Sequence, residues 1–360
     1  MNDRVVSPLG LPPPLRPTPD MPASWQDVDL DFDTAAERFV RRHQADGAAR
    51  DLPVLDLRTW GIAPTPDGER FTLKPLAGHE PPLPLRSTAF SGLCTRLGAP
   101  AEFIRDKLPA PLQLATLNFL MAQSERPGTA MLRLRGDDVT AIVSERYAPL
   151  DAGELVGTLR NALARHGLLE TVRVRAVASG VTDVIRLVIP SESTAIKVGD
   201  TSLVGLDVSS SSFGRSAIHV RGVVWRLICM NGARTPSSMG DVSLRHLGET
   251  QRLRDGLAEG VATALTHARG LMGRWKSAVS AYVTNLADFI DGMRELNLSE
   301  QQAVRVELGA NKPAELPERV SVFDFVNAVT QAAHEAEPAR RIELESIAGG
   351  VLLDQTGGRP

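Results

Sequence analysis

Hydrophobic and polar positions alternate one by one through the middle of the chain. Val172, Val174 and Ala176 take turns with Arg173 and Arg175. A period of two is typical of a strand with one buried face and one solvated face. Four runs of this kind follow one another: ETVRVRAVAS, TDVIRLVIP, TSLVGLDVSSSS and SAIHVRGVVWRLICM. They predict an antiparallel β-meander.

The pattern becomes helical after this meander. From Glu249 to Leu296 the chain has no proline, and apolar residues recur at intervals of three or four. This spacing predicts one long helix, which Gly270 and Gly273 would kink. The same period predicts shorter helices further along the chain, at 299–308, 321–335 and 338–353.

The N-terminal third is interrupted by proline and glycine. Residues 1–24 are rich in proline, which predicts an extended or disordered tail. A helix is predicted over 34–45, with Asp33 as its N-cap. Residues 60–86 indicate a loop region that contains β-structure, and helices divided by prolines then form a compact subdomain over 87–123.

A hairpin and a helix connect this subdomain to the meander. AMLRLRG and VTAIVSE flank a pair of aspartates and predict the hairpin. Asp151 caps the next helix, and Gly167 ends it. The fold class is therefore α+β, with a central hairpin–helix–antiparallel β-meander unit flanked by a helical subdomain and by a long C-terminal helix plus short helices. We expect four regions. They are a disordered tail at 1–24, a mostly helical region at 25–128, the central sheet unit at 129–235 and a helical C-terminal region at 236–360.

Three blocks of the chain carry a family likeness. The first is AIVSERYAPLDAGELV, the second is the serine-rich Ser209–Ser212 with the later Cys-Met-Asn-Gly, and the third is SVFDFVNAVTQAAHE. Together they resemble the phage/plasmid-like domain-of-unknown-function 932 family over roughly residues 85–353. The signature positions in this chain are Ser144, Arg146, Tyr147, Asp151, Asn231 and Asn327. The resemblance implies a mobile-element origin near recombination or replication genes and does not by itself imply an activity.

The charge of the chain is unevenly distributed. The formal net charge is −3, but Phe213 to Lys276 holds ten basic residues against four acidic ones. From Val283 to the end there are seven basic residues against thirteen acidic ones. A basic middle beside an acidic tail indicates an anion-binding face. Scattered surface charge would give the same counts.

The basic residues of the last meander strand and of the following helix start are candidates for nucleic-acid binding. Arginine presents a fixed fork to phosphate, and an aromatic ring on the same face could stack on a base. Even spacing places Trp225 on the strand face of Arg221. The predicted contact residues are Arg215, His219, Arg221, Trp225, Arg234, Arg245 and Arg252. In the alternative interpretation, Trp225 belongs to the core and the arginines pair with helix acids, namely Glu249, Asp255 and Glu259.

These observations favour a non-enzymatic protein that binds nucleic acid. The order of elements resembles that of phage single-strand annealing proteins, which implies single-stranded DNA as ligand, a homo-oligomer, and a role in recombination or replication. A structural or oligomerising protein that uses the long helix over 249–296 is the first alternative. An uncharacterised hydrolase that uses Ser212, His219 and an acid is the second.

Little else in the sequence points to chemistry. Cys94 and Cys229 lack the spacing of a zinc site or of a disulfide framework, and two isolated thiols fit a reducing cytoplasm. The seven histidines are dispersed. We therefore expect a cytoplasmic protein that has no metal, cofactor, catalytic residue or membrane partner.

Overall fold

The computed structural model describes residues 12–20, 24–45, 47–123, 128–197, 199–211, 213–226, 232–234, 242–310, 315–334 and 336–357. The fold is α+β and includes several antiparallel sheets, as predicted. In chain order the strands are β1 (Ser24–Gln26), β2 (Leu30–Asp31), β3 (Ala49–Val54), β4 (Trp60–Pro64), β5 (Phe71–Pro75), β6 (Leu83–Pro84), β7 (Ala130–Arg135), β8 (Asp138–Val143), β9 (Arg173–Ser179), β10 (Asp183–Lys197), β11 (Asp200–Ser210), β12 (Ile218–Arg226), β13 (Gly232–Arg234), β14 (Val242–Leu244), β15 (Tyr282–Thr284) and β16 (Arg319–Ser321).

Helices precede, interrupt and follow these strands. In chain order they are α1 (Phe32–Ala45), α2 (Ser87–Leu97), α3 (Ala101–Lys107), α4 (Ala110–Gln123), α5 (Ala152–Arg165), α6 (Thr250–Ser277), α7 (Leu286–Gly292), α8 (Leu298–Glu307), α9 (Val322–Ala332) and α10 (Pro338–Gln355). The helices predicted at 299–308, 321–335 and 338–353 correspond to α8, α9 and α10.

An eight-stranded sheet forms the centre of the molecule. Its strand order is β1-β9-β10-β11-β12-β13, with β2 paired to β9 and β14 paired to β12. Strands β9 to β12 are consecutive antiparallel neighbours, so the predicted meander is confirmed.

Helix α6 covers one face of this sheet. Val204, Leu206 and Val208 of β11 are buried on that face in the main hydrophobic core. Gly222 of β12 lets the helix approach closely, because a Cβ there would lie 2.5 Å from the carbonyl oxygen of Ala264. The apolar stripe of α6 is therefore used within the chain.

Helix α10 covers part of the opposite face. A Cβ on Gly349 would lie 1.7 Å from the carbonyl oxygen of Arg234, so the two backbones are in direct contact. The odd-numbered residues of β12 point to this side, where Arg221 lies opposite Asp207 and Trp225 lies opposite Leu203. The predicted parity of the strand is right, but the end of this face near Trp225 is covered.

Two small sheets and three helices form the N-terminal part. The sheets have the orders β3-β7-β8 and β4-β5-β6. Phe71, Phe90 and Leu117 belong to their shared core with α2 and α4. Because β3 pairs with β7, sheet hydrogen bonds bridge the predicted border between residues 128 and 129.

Residues 12–20 of the predicted extended or disordered tail are ordered and contact the N-terminal sheet. Leu15 is buried, Arg16 N donates to Glu69 O at 2.8 Å and Thr18 N donates to Leu85 O at 2.8 Å. The segment is extended, and these contacts fix it along the N-terminal sheet. Residues 1–11 and 21–23 lie outside the described residues.

Two helix boundaries differ from the sequence prediction. Helix α1 begins at Phe32, and Asp31 rather than Asp33 accepts a hydrogen bond from Thr34 N at 2.8 Å. The long helix ends at Ser277, whereas the prediction extended it to Leu296. Asn285 has a φ of 50°, which no continuous helix allows, so β15 and α7 follow instead.

Candidate functional site

The turn that follows the hairpin places Tyr147. Strand β8 ends at Val143, and Tyr147 N donates to Ser144 O at 3.0 Å. Asp151 then caps α5 in a capping box with Glu154. Turn and cap together hold the Tyr147 ring in one place between the hairpin and the helix.

Arg133 of β7 joins the ring to the cap. Its Nη2 lies 2.7 Å from Asp151 Oδ1, and its Nε lies 3.1 Å from Asp51 Oδ1. The same guanidinium lies 5.3 Å from the centre of the Tyr147 ring, a cation–π contact. Burial raises the pKa of the Tyr147 hydroxyl, and Arg133 partly offsets that effect.

His246, from the segment before α6, contacts the Tyr147 ring. Its ring stacks on Tyr147 with 5.1 Å between ring centres. Its Nδ1 lies 3.0 Å from Ala148 O, while the buried Nε2 has no hydrogen-bond partner. Burial lowers the pKa of His246, and Arg133 lowers it further. The neutral ring therefore donates from Nδ1 to the carbonyl and presents Nε2 as an acceptor.

Tyr147 and His246 line a pocket of about 410 Å³, which we call the Tyr147 pocket. The turn contributes Ser144 and Tyr147, and the segment before α6 contributes Arg245 and His246. The loop after β11 contributes the third wall, with Gly214, Arg215 and Ser216. Three segments that are distant in sequence thus meet at one surface depression.

Ser211 shapes the third wall. Its hydroxyl donates to Val181 O at 2.7 Å and accepts from the backbone nitrogens of Phe213 and Arg215 at 3.3 Å. Tyr147 Oη donates to Ser211 O at 3.3 Å. The serine-rich block therefore positions Arg215 beside Tyr147. Ser212, a candidate nucleophile, lies outside the described residues.

Three of the predicted contact residues are exposed near this pocket. Arg215 and Arg245 line it, and Arg252 lies in an adjoining groove between β14 and the start of α6. Glu249, Asp255 and Glu259 line the same groove. Among the described residues, none of the three arginines forms an ion pair.

The structure corrects the prediction for Trp225 and Arg234. Both side chains are about 1% exposed, so neither can contact a ligand in this conformation. Trp225 Nε1 donates to Leu187 O at 3.3 Å, and its ring lies against the Arg186 guanidinium. As the alternative interpretation held, Trp225 belongs to the core.

Arg234 belongs to a buried ionic network. Its Nη2 lies 2.7 Å from Asp207 Oδ2, and Arg186 lies 3.7 Å from the same carboxylate. Arg186 also pairs with Glu345 of α10 at 2.5 Å. Arg221 and His219 are half-buried on the same sheet face. The basic stretch is thus divided between this network and the Tyr147 pocket.

The arginines that do form ion pairs have partners other than the helix acids named above. Arg226 pairs with Asp200 at 2.6 Å, and Arg254 pairs with Glu154. Both acids belong to the central sheet unit, so these pairs fix α6 and β12 within the fold.

The remaining signature residues have structural surroundings. Asn327 is buried in α9 and its Nδ2 donates to Phe323 O at 2.8 Å. Arg146 is exposed, and its carbonyl accepts from Gly248 N at 3.0 Å. Asn231 and Cys229 lie outside the described residues. His246 was not among the predicted residues, and its unpartnered Nε2 becomes visible only in three dimensions.

Comparison with known proteins identifies the family. A family model described as "Domain of unknown function (DUF932)" matches residues 139–348. The chain therefore belongs to the DUF932 family, as the three sequence blocks predicted. No curated protein and no solved structure matches it.

Two features are absent from the residues that the structure describes. No helix among them is both long and apolar enough to span a membrane. No group of three or more His, Cys, Asp or Glu side chains in this part of the chain is arranged to hold a metal ion.

Proposed function

We propose that this protein binds single-stranded nucleic acid at the Tyr147 pocket without catalysing a reaction. The observation that carries the proposal is the convergence of Arg215 and Arg245, from two separate segments, on the stacked rings of Tyr147 and His246. Exposed guanidinium groups suit phosphates, and an aromatic platform suits an unstacked base.

The details of the pocket favour a flexible strand over a duplex. A volume of about 410 Å³ can hold one base with its sugar, which a duplex does not present. Gly214 and the hydroxyls of Ser144 and Ser216 leave room and hydrogen-bonding groups at its edge. This combination supports binding with modest sequence preference.

Arg252 extends the surface beyond the pocket. The groove that it shares with Arg245 runs along β14 and the first turns of α6. Its three acidic residues would repel phosphates, so we place the strand along the arginine side of the groove. In a mobile-element setting, a cytoplasmic protein of this kind would serve recombination or replication.

The direct test is a titration of fluorescently labelled single-stranded DNA with the wild-type protein at several salt concentrations. We expect binding at low salt, a linear fall of log affinity with log salt, and weaker binding to duplex of the same length. Absence of binding at low salt contradicts the proposal.

A second candidate function is self-association, which one specific observation favours. Phe103 of α3 and Leu112 and Phe119 of α4 are 53%, 50% and 63% exposed. Leu112 and Phe119 are seven residues apart and share one helix face. Exposed apolar side chains on neighbouring helices are typical of an interface between subunits.

Light scattering tests this candidate with Phe119→Asp. We expect the wild type to form an oligomer and the variant to be a folded monomer, because the side chain lies outside the core. A wild type that stays monomeric at high concentration contradicts it.

A further inference from the structure

A second cavity lies between the N-terminal part and the central sheet. Its walls come from the end of α1 with Arg42 and His43, from Arg86 before α2, from Arg135 of β7, and from the turn after Ser179. We call it the arginine cavity. Phe213 also lines it, whereas the next two residues line the Tyr147 pocket, so one loop separates the two sites.

Two residues that line this cavity carry buried polar atoms without a hydrogen-bond partner. Arg42 pairs with Asp27 through Nη1, but its buried Nε and Nη2 have no hydrogen-bond partner. Ser179 is 7% exposed and its Oγ has no partner. Native proteins satisfy almost all such buried groups, so donors left over on two walls of one cavity indicate a missing acceptor.

The other two arginines are held at the cavity by contacts of their own. Arg135 Nη1 donates to His43 O at 2.5 Å, and the guanidinium lies 5.6 Å from the centre of the Phe213 ring. Arg86 Nε donates to Asp138 Oδ2 at 3.0 Å. These contacts hold both guanidinium groups at the cavity wall.

His43 and Asp20 complete the lining. His43 Nε2 lies 2.9 Å from Asp183 Oδ2, and its Nδ1 lies 2.9 Å from Phe39 O. Asp20 Oδ1 accepts from Thr88 Oγ1 at 3.1 Å, and burial raises the pKa of Asp20. The carboxyl group is therefore easier to neutralise than an exposed one when an anion binds beside it.

We propose that the arginine cavity binds a single phosphate group, as free inorganic phosphate or as the terminal monoester of a nucleic-acid strand. The cavity measures about 40 Å³, and because one water needs about 10–15 Å³ it holds roughly three water molecules. That space fits one tetrahedral anion and excludes a nucleoside. The unpartnered Nε and Nη2 of Arg42 and the unpartnered hydroxyl of Ser179 can donate to the oxygens of one phosphate.

Isothermal titration calorimetry with inorganic phosphate tests the site without any nucleic acid. We expect Arg42→Gln to weaken binding at least tenfold. Ser179→Ala should weaken it several-fold and keep the protein folded, because the hydroxyl has no partner to lose. Asp20→Asn keeps an acceptor for Thr88 and should strengthen binding, since it removes a negative charge from the wall.

The matched control is Arg38→Gln. Arg38 also lies on α1 and also pairs with Asp27, at 3.4 Å, but it does not line the cavity. The Arg38→Gln variant should bind phosphate as tightly as the wild type. Absence of phosphate binding by the wild type, or equal weakening in Arg38→Gln and Arg42→Gln, overturns the proposal.

Oligonucleotides with a 5′-phosphate or a 5′-hydroxyl distinguish the two sources of phosphate. If the ligand is a strand end, the phosphorylated strand binds more tightly, and Ser179→Ala removes the difference. If it is free phosphate, both strands bind equally and inorganic phosphate does not compete with them. Because the calorimetry omits nucleic acid, its failure overturns this site alone and leaves strand binding at the Tyr147 pocket to its own test.

Discussion

At the scale of single residues, the environment of each basic side chain decides what it can do. Arg215 and Arg234 are both arginines of the same basic stretch, yet one is exposed in a pocket and the other is buried against Asp207. Even spacing correctly assigned the faces of β12, but it could not reveal that α10 covers one of them. Only contacts between distant segments distinguish the exposed arginines from the buried ones.

His246 gives a prediction about pH. Burial and Arg133 lower its pKa below the ordinary value of 6.5, so the unfolded chain takes up a proton first as pH falls. Folding stability should therefore decrease as pH drops below about 6.5, and His246→Gln should lack this decrease. An NMR titration of the His246 ring proton measures the pKa of the folded protein directly. A folded-state pKa at or above 6.5 would contradict the assignment of a neutral acceptor.

Asp207→Asn tests the buried ionic network. The change removes the negative charge that Arg234 and Arg186 share, and both guanidinium groups stay buried. We therefore expect the free energy of unfolding to fall by about 3–5 kcal/mol. Urea denaturation measures the fall. Asp56→Asn, which breaks an exposed pair with Arg58, serves as control and should change little. Equal effects of both changes would show that the network is not buried in solution.

At the scale of elements, local signals predicted most of the fold. The capping box of Asp151 with Glu154 and the alternation of β9 to β12 are readable within a few residues of chain. The end of α6 was missed because Val283, Leu286 and Ile290 continue the helical spacing and are buried in the actual structure as well. The pairing of β3 with β7 joins residues about 80 apart, which no local pattern indicates.

The contact between β12 and α6 gives a prediction at this scale. A Cβ at Gly222 would lie 2.5 Å from Ala264 O and 2.7 Å from Ala268 N, both backbone atoms of the helix. Gly222→Ala should therefore destabilise the fold by about 1–3 kcal/mol through overpacking. A Cβ at Gly270 of α6 would meet nothing within 4 Å. Gly270→Ala should therefore stabilise the fold by about 0.5–1 kcal/mol. Chemical denaturation of the two variants measures these opposite signs, and the same sign for both would refute the packing described.

At the scale of the whole molecule, the fold collects functional groups that the sequence scatters. The turn after β8, the loop after β11 and the segment before α6 are distant in sequence but line one pocket. The sequence indicated a basic region and, as a separate feature, the Ser-Glu-Arg-Tyr turn of the family signature. Their meeting in one pocket, and the share of His246 in it, are properties of the tertiary structure.

The measurement that tests the central claim most directly is the affinity of single-stranded DNA for Arg215→Ala/Arg245→Ala by fluorescence anisotropy. We expect binding at least about tenfold weaker than wild type, since each charge-assisted hydrogen bond contributes on the order of 1.5 kcal/mol. The slope of log affinity against log salt should shrink by about 0.7 for each phosphate that the variant no longer neutralises. Arg41→Ala/Arg58→Ala removes the same charge from exposed positions elsewhere and should leave affinity nearly unchanged. Equal affinities for the two double variants would contradict the account.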